Sequence, residues 1–207
     1  MVVPGSFAVL LPVKSPGTGK SRLSALPDDD RRRLAAAFAA DTVAACTSTP
    51  AVGLVVVVSD DAEFAASLPG VLTCEDPGTG LNAALRHAAE VARGLRPALR
   101  PVALLADLPA LRAEDLATAL ATLGPGPAYV ADAEGTGTTL YTASYDAFDP
   151  RFGAGSAAAH RTAGAAPVAG ALASLRRDVD GLGDLAGAVA LGVGRKTEAA
   201  LAVTALP

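Results

Sequence analysis

Residues 101–111 read PVALLADLPAL, an apolar run broken by a single carboxylate, Asp107, with Leu108 and Pro109 directly after it. A run this short and apolar, bounded by prolines, predicts a buried parallel strand with the acid at its C-terminal tip. Pro109 then ends the pairing and turns the chain outward. Open α/β sheets bind ligands beyond the carboxyl ends of their strands, so Asp107 is expected at the mouth of a site. The competing reading is a loop or capping acid before the helix that starts near Arg112. The site reading is favoured because two acids much later in the chain complete a set that a metal can use.

Working outward, strand and helix patterns alternate. Residues 6–13, SFAVLLPV, read as a first buried strand, and 14–23, KSPGTGKSRL, as a loop broken by Gly and Pro. Asp28 to Asp30 followed by Arg31 to Arg33 suit a helix start, with acids in the first turn and pairing at i, i+3 and i+4, and the helix runs on through 34–48. The Val-rich run 53–61 is a buried strand, 71–80 a short strand and turn, and 81–95 an amphipathic helix. Beyond the central strand, 112–123 reads as helix, 128–135 as strand, and 138–144 as a further strand entered through Thr136 and Gly137. This is an α/β chain, and one domain over residues 1–207 is the default at this length.

A net charge of −4 and a pI near 5.1 provide no overall field to gather nucleic acid, so an anionic ligand must be met by local positive charge. Among 17 basic residues only Lys14, Lys20 and Lys196 are lysines, and two of them lie in the first loop. Cys46 and Cys74 lack metal-ligand spacing and read as buried thiols. The N-terminus has no basic segment before its apolar run and no later run reaches membrane-spanning length, so a cytosolic protein without a membrane partner is expected.

The first loop contains GTGKS, but a phosphate-binding P-loop needs a glycine where Lys14 stands. The loop is better read as backbone amides with Lys14, Lys20 and Arg22 around the phosphates of a nucleotide, rather than a merely solvated basic turn. Ser59, Asp60 and Asp61 either touch base or ribose or cap the short helix that follows. Asn82, one residue into its helix after Gly80, either reads a purine edge or sits near the cap. Glycines and Ser156 ahead of an Ala-rich helix, from Arg151 onward, suggest an anion site made of free helix amides, with a plain Ser cap as the competitor. His160 and Arg161, one turn further, are read as facing solvent. Asp178-Val179-Asp180, if extended, would point both acids the same way, about 6 to 7 Å apart, and suits a divalent cation. Mg²⁺ takes one or two carboxylates with phosphate oxygens and water, which Asp107 and this pair would supply. The alternative is that the pair caps the helix beginning near Leu182.

Taken together, PVK with KSRL, GLNAAL, ADLPAL, GTGTTLY, RFGAGSAAAH and RRDVDGLGDL resemble the guanylyltransferases that activate a three-carbon phospho-acid in coenzyme F-420 biosynthesis. The resemblance spans nearly the whole chain. It implies a single-domain, Rossmann-like nucleotidyltransferase fold of mostly parallel strands with helices on both faces. It also implies a reaction joining GTP to phosphoenolpyruvate or 2-phospho-L-lactate with release of pyrophosphate. By position it assigns Asp107, Asp178 and Asp180 to Mg²⁺, and Thr139, Gly153 and Ser156 to the acid. Lys14, Lys20 and Arg22 fall to the GTP phosphates, with Lys14, Lys20 and Asp107 as the catalytic set. One departure is visible: sugar-type relatives carry G-x-G-x-R before the loop lysine, whereas here the glycines lie between two lysines.

The chemistry suits this composition. A phosphate oxygen is already an anionic nucleophile, so no general base is needed and two histidines are no obstacle. The difficulty is charge: unit charges 4 Å apart repel by roughly 4 kcal/mol at an effective dielectric of about 20. A metal and a basic loop answer that repulsion. The Ala-, Gly- and Arg-rich usage suggests a G+C-rich genome such as an actinobacterium's, where family members resemble the phosphoenolpyruvate-using branch, so phosphoenolpyruvate is the expected acid. Rival readings are another nucleotidyltransferase of this fold, loading a molybdopterin or a sugar phosphate, and a nucleotide-binding regulator without turnover.

Overall fold

The computed structural model describes residues 4–15 and 26–205 of the 207-residue chain. Seven strands form one sheet: β1 (Phe7–Val13), β2 (Val52–Ser59), β3 (Leu72–Glu75), β4 (Arg100–Leu104), β5 (Ala128–Ala131), β6 (Thr138–Thr142) and β7 (Ala166–Pro167), in the order β3-β2-β1-β4-β6-β5-β7. The pairs β3–β2, β2–β1, β1–β4 and β5–β7 are parallel, while β6 runs antiparallel to both neighbours. The α/β, mostly parallel architecture expected from the alternation is therefore present, with one reversed strand inserted beside the central one.

Helices cover both faces, as they must when a parallel sheet is apolar throughout. On one face α1 (Asp28–Ser48), α2 (Ala62–Ser67) and α4 (Ala113–Ala121) pack Val43, Cys46, Ala65, Leu116 and Leu120 against Val9, Leu11, Val57, Val102 and Leu104. On the other, α3 (Leu81–Leu95) and α5 (Ser156–Thr162) bring Leu85, Ala88, Ala92 and Ala157 onto Ala8, Leu10, Val56, Tyr129 and Tyr141. Alternate residues of β1 divide between the two clusters, the period-2 signature of a strand buried on both sides.

A third apolar cluster involves the C-terminal part of the chain. The short α6 (Ala173–Arg176) leads through an irregular segment to α7 (Leu182–Leu191) and α8 (Arg195–Leu201). Val179, Leu185, Ala188 and Ala200 pack there on Leu34, Phe38 and Ala110. Asp41 of α1 secures this return by accepting the backbone N–H groups of Lys196 at 3.1 Å and Thr197 at 2.7 Å. At the start of α1 the predicted pairs form, Arg31 on Asp28 and Arg33 on Asp30. No helix among the described residues is long and apolar enough to cross a membrane.

Candidate functional site

Strand β4 ends at Leu104, so the chain is already irregular when it reaches Asp107. What holds the acid is a set of bonds around it. The Leu105 amide donates to the Thr139 carbonyl at 3.0 Å, tying the strand exit to β6. The buried Thr42 hydroxyl, reaching across from α1, lies 3.2 Å from the Ala106 carbonyl and accepts the Leu108 amide at 3.2 Å. From the far end of the chain, the Val179 amide donates to the Asp107 carbonyl at 3.0 Å. Leu108 and Val179, both fully buried, anchor the two segments in apolar clusters on either side of that bond.

The Asp178–Asp180 segment is not a strand, as the D-x-D pattern suggested, but a loop between α6 and α7. The acids nonetheless flank a buried valine, with Asp178 partly buried and Asp180 exposed. Capping of α7 falls to Asp184, which accepts the amides of Gly181 at 2.9 Å and Asp180 at 3.2 Å. The Asp178 carboxyl is pushed up to about 7, first by burial and then by the nearby charges of Asp107, Asp180 and Asp132, against a small opposing effect of its own amide. Buried carboxylates set beside one another in this way favour an added cation.

Among the described residues no three His, Cys, Asp or Glu side chains form a ready cage for a metal. That arrangement fits Mg²⁺ better than an ion that needs an all-protein cage, because Mg²⁺ keeps waters and draws ligands from substrate phosphates.

Beside this acid group lies Thr139. In the β5–β6 ladder Val130 pairs with Leu140 and Ala131 with Thr138, so Thr139 is the residue passed over by a bulge, a device that re-aims a side chain. It is fully buried, and its hydroxyl has no hydrogen-bond partner among the described residues. An orphaned buried hydroxyl costs about 1–3 kcal/mol and calls for an explanation. The turn feeding β6 is closed by Asp132, which accepts the amides of Thr136 at 3.0 Å and Gly137 at 2.7 Å; a Cβ at Gly137 would collide with that carboxylate.

Ser156 opens α5 and is buried, but the expectation of free helix amides is corrected. The Ser156 amide donates to Gly153, Ala157 to Thr136, and Ala158 and Ala159 both to Gly155, each at 3.1 Å. The amides without an acceptor among the described residues lie one step earlier, at Gly153, Ala154 and Gly155, in an exposed turn. Gly153 has φ +136°, which a side chain rarely adopts.

His160 also differs from expectation: it is fully buried rather than solvent-facing. The Arg151 amide donates to its Nε2 at 2.9 Å, so that nitrogen carries the lone pair. The ring proton then sits on Nδ1, 3.0 Å from the Thr138 hydroxyl. The ring lies parallel to Tyr141, centroids 4.5 Å apart, and meets Phe152 edge-on at 5.5 Å. Burial, with the nearby Arg151 charge adding, pulls its pKa down to about 4.

Asn82, expected at a purine edge, instead takes the backbone of Phe152 in both directions. Its Oδ1 accepts the Phe152 amide at 2.8 Å and its Nδ2 donates to the Phe152 carbonyl at 3.0 Å. Of Ser59, Asp60 and Asp61, the last caps α2 by accepting the Phe64 amide at 2.9 Å, while Asp60 accepts the Ser15 amide at 2.6 Å. Lys14 is exposed directly after β1, and Lys20 and Arg22 lie outside the described residues. Sequence reasoning missed Thr42, Asp132 and Asp184. A threonine in mid-helix carries no signal of the loop it braces, and the two acids are recognisable only once the turns they close are known.

A family model described as "Guanylyl transferase CofC like" matches residues 7–166. A phosphoenolpyruvate guanylyltransferase of Streptomyces coelicolor is 50% identical over 204 residues, covering 95% of this chain and 96% of the relative. One of Geodermatophilus obscurus is 46% identical over 217 residues, covering 100% and 99%. Among solved structures, a candidate nucleotide-diphospho-sugar transferase of Desulfovibrio desulfuricans G20 superposes with a TM-score of 0.65 at 23% identity, covering 87% of this chain and 84% of that one, a likeness of fold.

Proposed function

The chain belongs to the CofC-like guanylyl transferases, and from that premise we propose that it joins GTP to phosphoenolpyruvate, giving enolpyruvoyl-2-diphospho-5'-guanosine and pyrophosphate, a step toward coenzyme F-420. The observation that carries this reading is the meeting of Asp107 with the Asp178–Asp180 loop, through the Val179 amide, next to the orphaned Thr139 hydroxyl. Acids that favour a cation, beside a hydroxyl in need of a charged partner, suit a site for two phosphorylated substrates.

In this reading a phosphate oxygen of phosphoenolpyruvate attacks the α-phosphorus of GTP. The new P–O bond forms as the bond from the α-phosphorus to the β-phosphate bridging oxygen breaks, and pyrophosphate leaves with that electron pair. The attacking oxygen is already ionised, so no residue need remove a proton. Thr139, the Gly153–Gly155 amides and Ser156 would hold the acid's anionic groups. Lys14, with Lys20 and Arg22, would counter the GTP phosphates. Asp107, Asp178 and Asp180 would hold Mg²⁺, which when bound neutralises phosphate charge.

The test is pyrophosphate release by the purified protein with GTP and Mg²⁺, supplied in turn with phosphoenolpyruvate and 2-phospho-L-lactate. Release with phosphoenolpyruvate is expected. A clear preference for 2-phospho-L-lactate overturns the choice of acid, and release with neither overturns the reaction.

A further inference from the structure

Two residues that contribute no polar atom to the proposed subsite converge on the loop that does. We propose that Asn82 and His160 are positioning residues of the phospho-acid subsite, holding the backbone of Arg151 and Phe152 so that the turn from Gly153 to Ser156 stands against Thr139. This inference rests on the reading above and names how that subsite is built.

Asn82 lies in the first turn of α3, 70 residues before the loop it grips. Its carboxamide presents one acceptor and one donor to a single residue, as a neighbouring strand would, and thereby fixes the path of Phe152 without sequence-local help. Aspartate at this position would place a charge against the Phe152 carbonyl and lose the donor; glutamine would add a methylene.

His160 joins all three parts of the subsite. Its ring belongs to α5, the helix opened by Ser156; its Nε2 holds the loop through Arg151; its Nδ1 reaches Thr138, the neighbour of Thr139 on β6. The ring is locked against Tyr141 and Phe152 and is fully buried, so it cannot touch substrate. The two grips fall on consecutive residues, Arg151 and Phe152, immediately before Gly153, whose φ of +136° is free to swing once they are released.

Both substrate KM values are measured for the wild type, Asn82→Ala, His160→Leu and His160→Gln, with a thermal unfolding curve for each. Asn82→Ala and His160→Leu are expected to raise KM for phosphoenolpyruvate about tenfold, the weight of one lost hydrogen bond, and to leave KM for GTP within about twofold. His160→Gln, which keeps an acceptor for the Arg151 amide, is expected to recover much of the loss. Combining Asn82→Ala with His160→Leu is expected to cost less than the product of the two effects, because both act on one loop. Equal rises in both KM values, or no rise at all, in variants that unfold cooperatively overturn the inference alone. A wild type that releases no pyrophosphate from GTP and phosphoenolpyruvate overturns the functional reading, and the inference with it.

Discussion

The backbone amide of Val179 donates to the backbone carbonyl of Asp107, and this bond brings residues 72 positions apart into one acid group. Its consequence is felt by Asp178, whose carboxyl is pushed up to about 7 by burial and by Asp107. In the unfolded chain the same group ionises near 3.8. The native state therefore holds its proton across the interval between these values, and stability from this group falls as pH rises through it.

The first prediction follows from that sign. In metal-free buffer at pH 8, Asp178→Asn should be more stable than the wild type by roughly 2–4 kcal/mol, and the difference should vanish below pH 4. Turnover of GTP with phosphoenolpyruvate should be lost in the same variant. Urea unfolding at both pH values checks it; equal stability at pH 8 would remove the electrostatic strain, and wild-type turnover would remove Asp178 from the metal.

Thr139→Val tests the orphaned hydroxyl. Valine keeps the shape and removes a buried polar group without a partner, so stability should be unchanged or raised by about 1 kcal/mol. If that hydroxyl meets an anionic group of the acid, KM for phosphoenolpyruvate should rise about ten- to a hundredfold. A destabilised variant with normal KM would show that the hydroxyl serves the fold.

Much of this was legible beforehand. Asp107 could be placed at a strand exit because an apolar run interrupted by one acid and then Pro109 has few other structural uses, and the acid pair at 178 and 180 could be linked to it by residue type. The antiparallel entry of β6 was not legible, since TTLYT fits either direction. Nor was the roll of Asn82: an amide at a helix start is equally suited to a base or a backbone, and the choice depends on a loop 70 residues away. His160 was misjudged because an Ala-rich helix gives little indication of which face is buried, and its aromatic neighbours Tyr129, Tyr141 and Phe152 are brought to it only by the fold.

Thr42→Val removes the hydroxyl that braces the turn around Asp107. The Leu108 amide would be left buried without its acceptor, a loss of about 1–3 kcal/mol in stability. Turnover should fall along with it as the Ala106–Leu108 turn loosens, whereas Thr42→Ser, which restores the oxygen, should regain most of both. Full activity in Thr42→Val would show that Asp107 is held well enough by its bonds to β6 and Val179.

His160 gives the chain an acid-sensitive point. Its pKa is about 4 in the fold, lowered chiefly by burial, against 6.5 ordinarily, so between these values the unfolded state binds a proton that the native state refuses. Stability is thus unaffected by this group above about pH 6.5 and falls as the pH drops below it, by roughly 2 kcal/mol at pH 5. Protonation would also destroy the Nε2 acceptor that holds the Arg151 amide. His160→Gln has no such titration, so its melting temperature should decline less between pH 7 and pH 5 than that of the wild type. Parallel declines in the two proteins would mean that the acid sensitivity arises elsewhere, in carboxylates rather than in this ring.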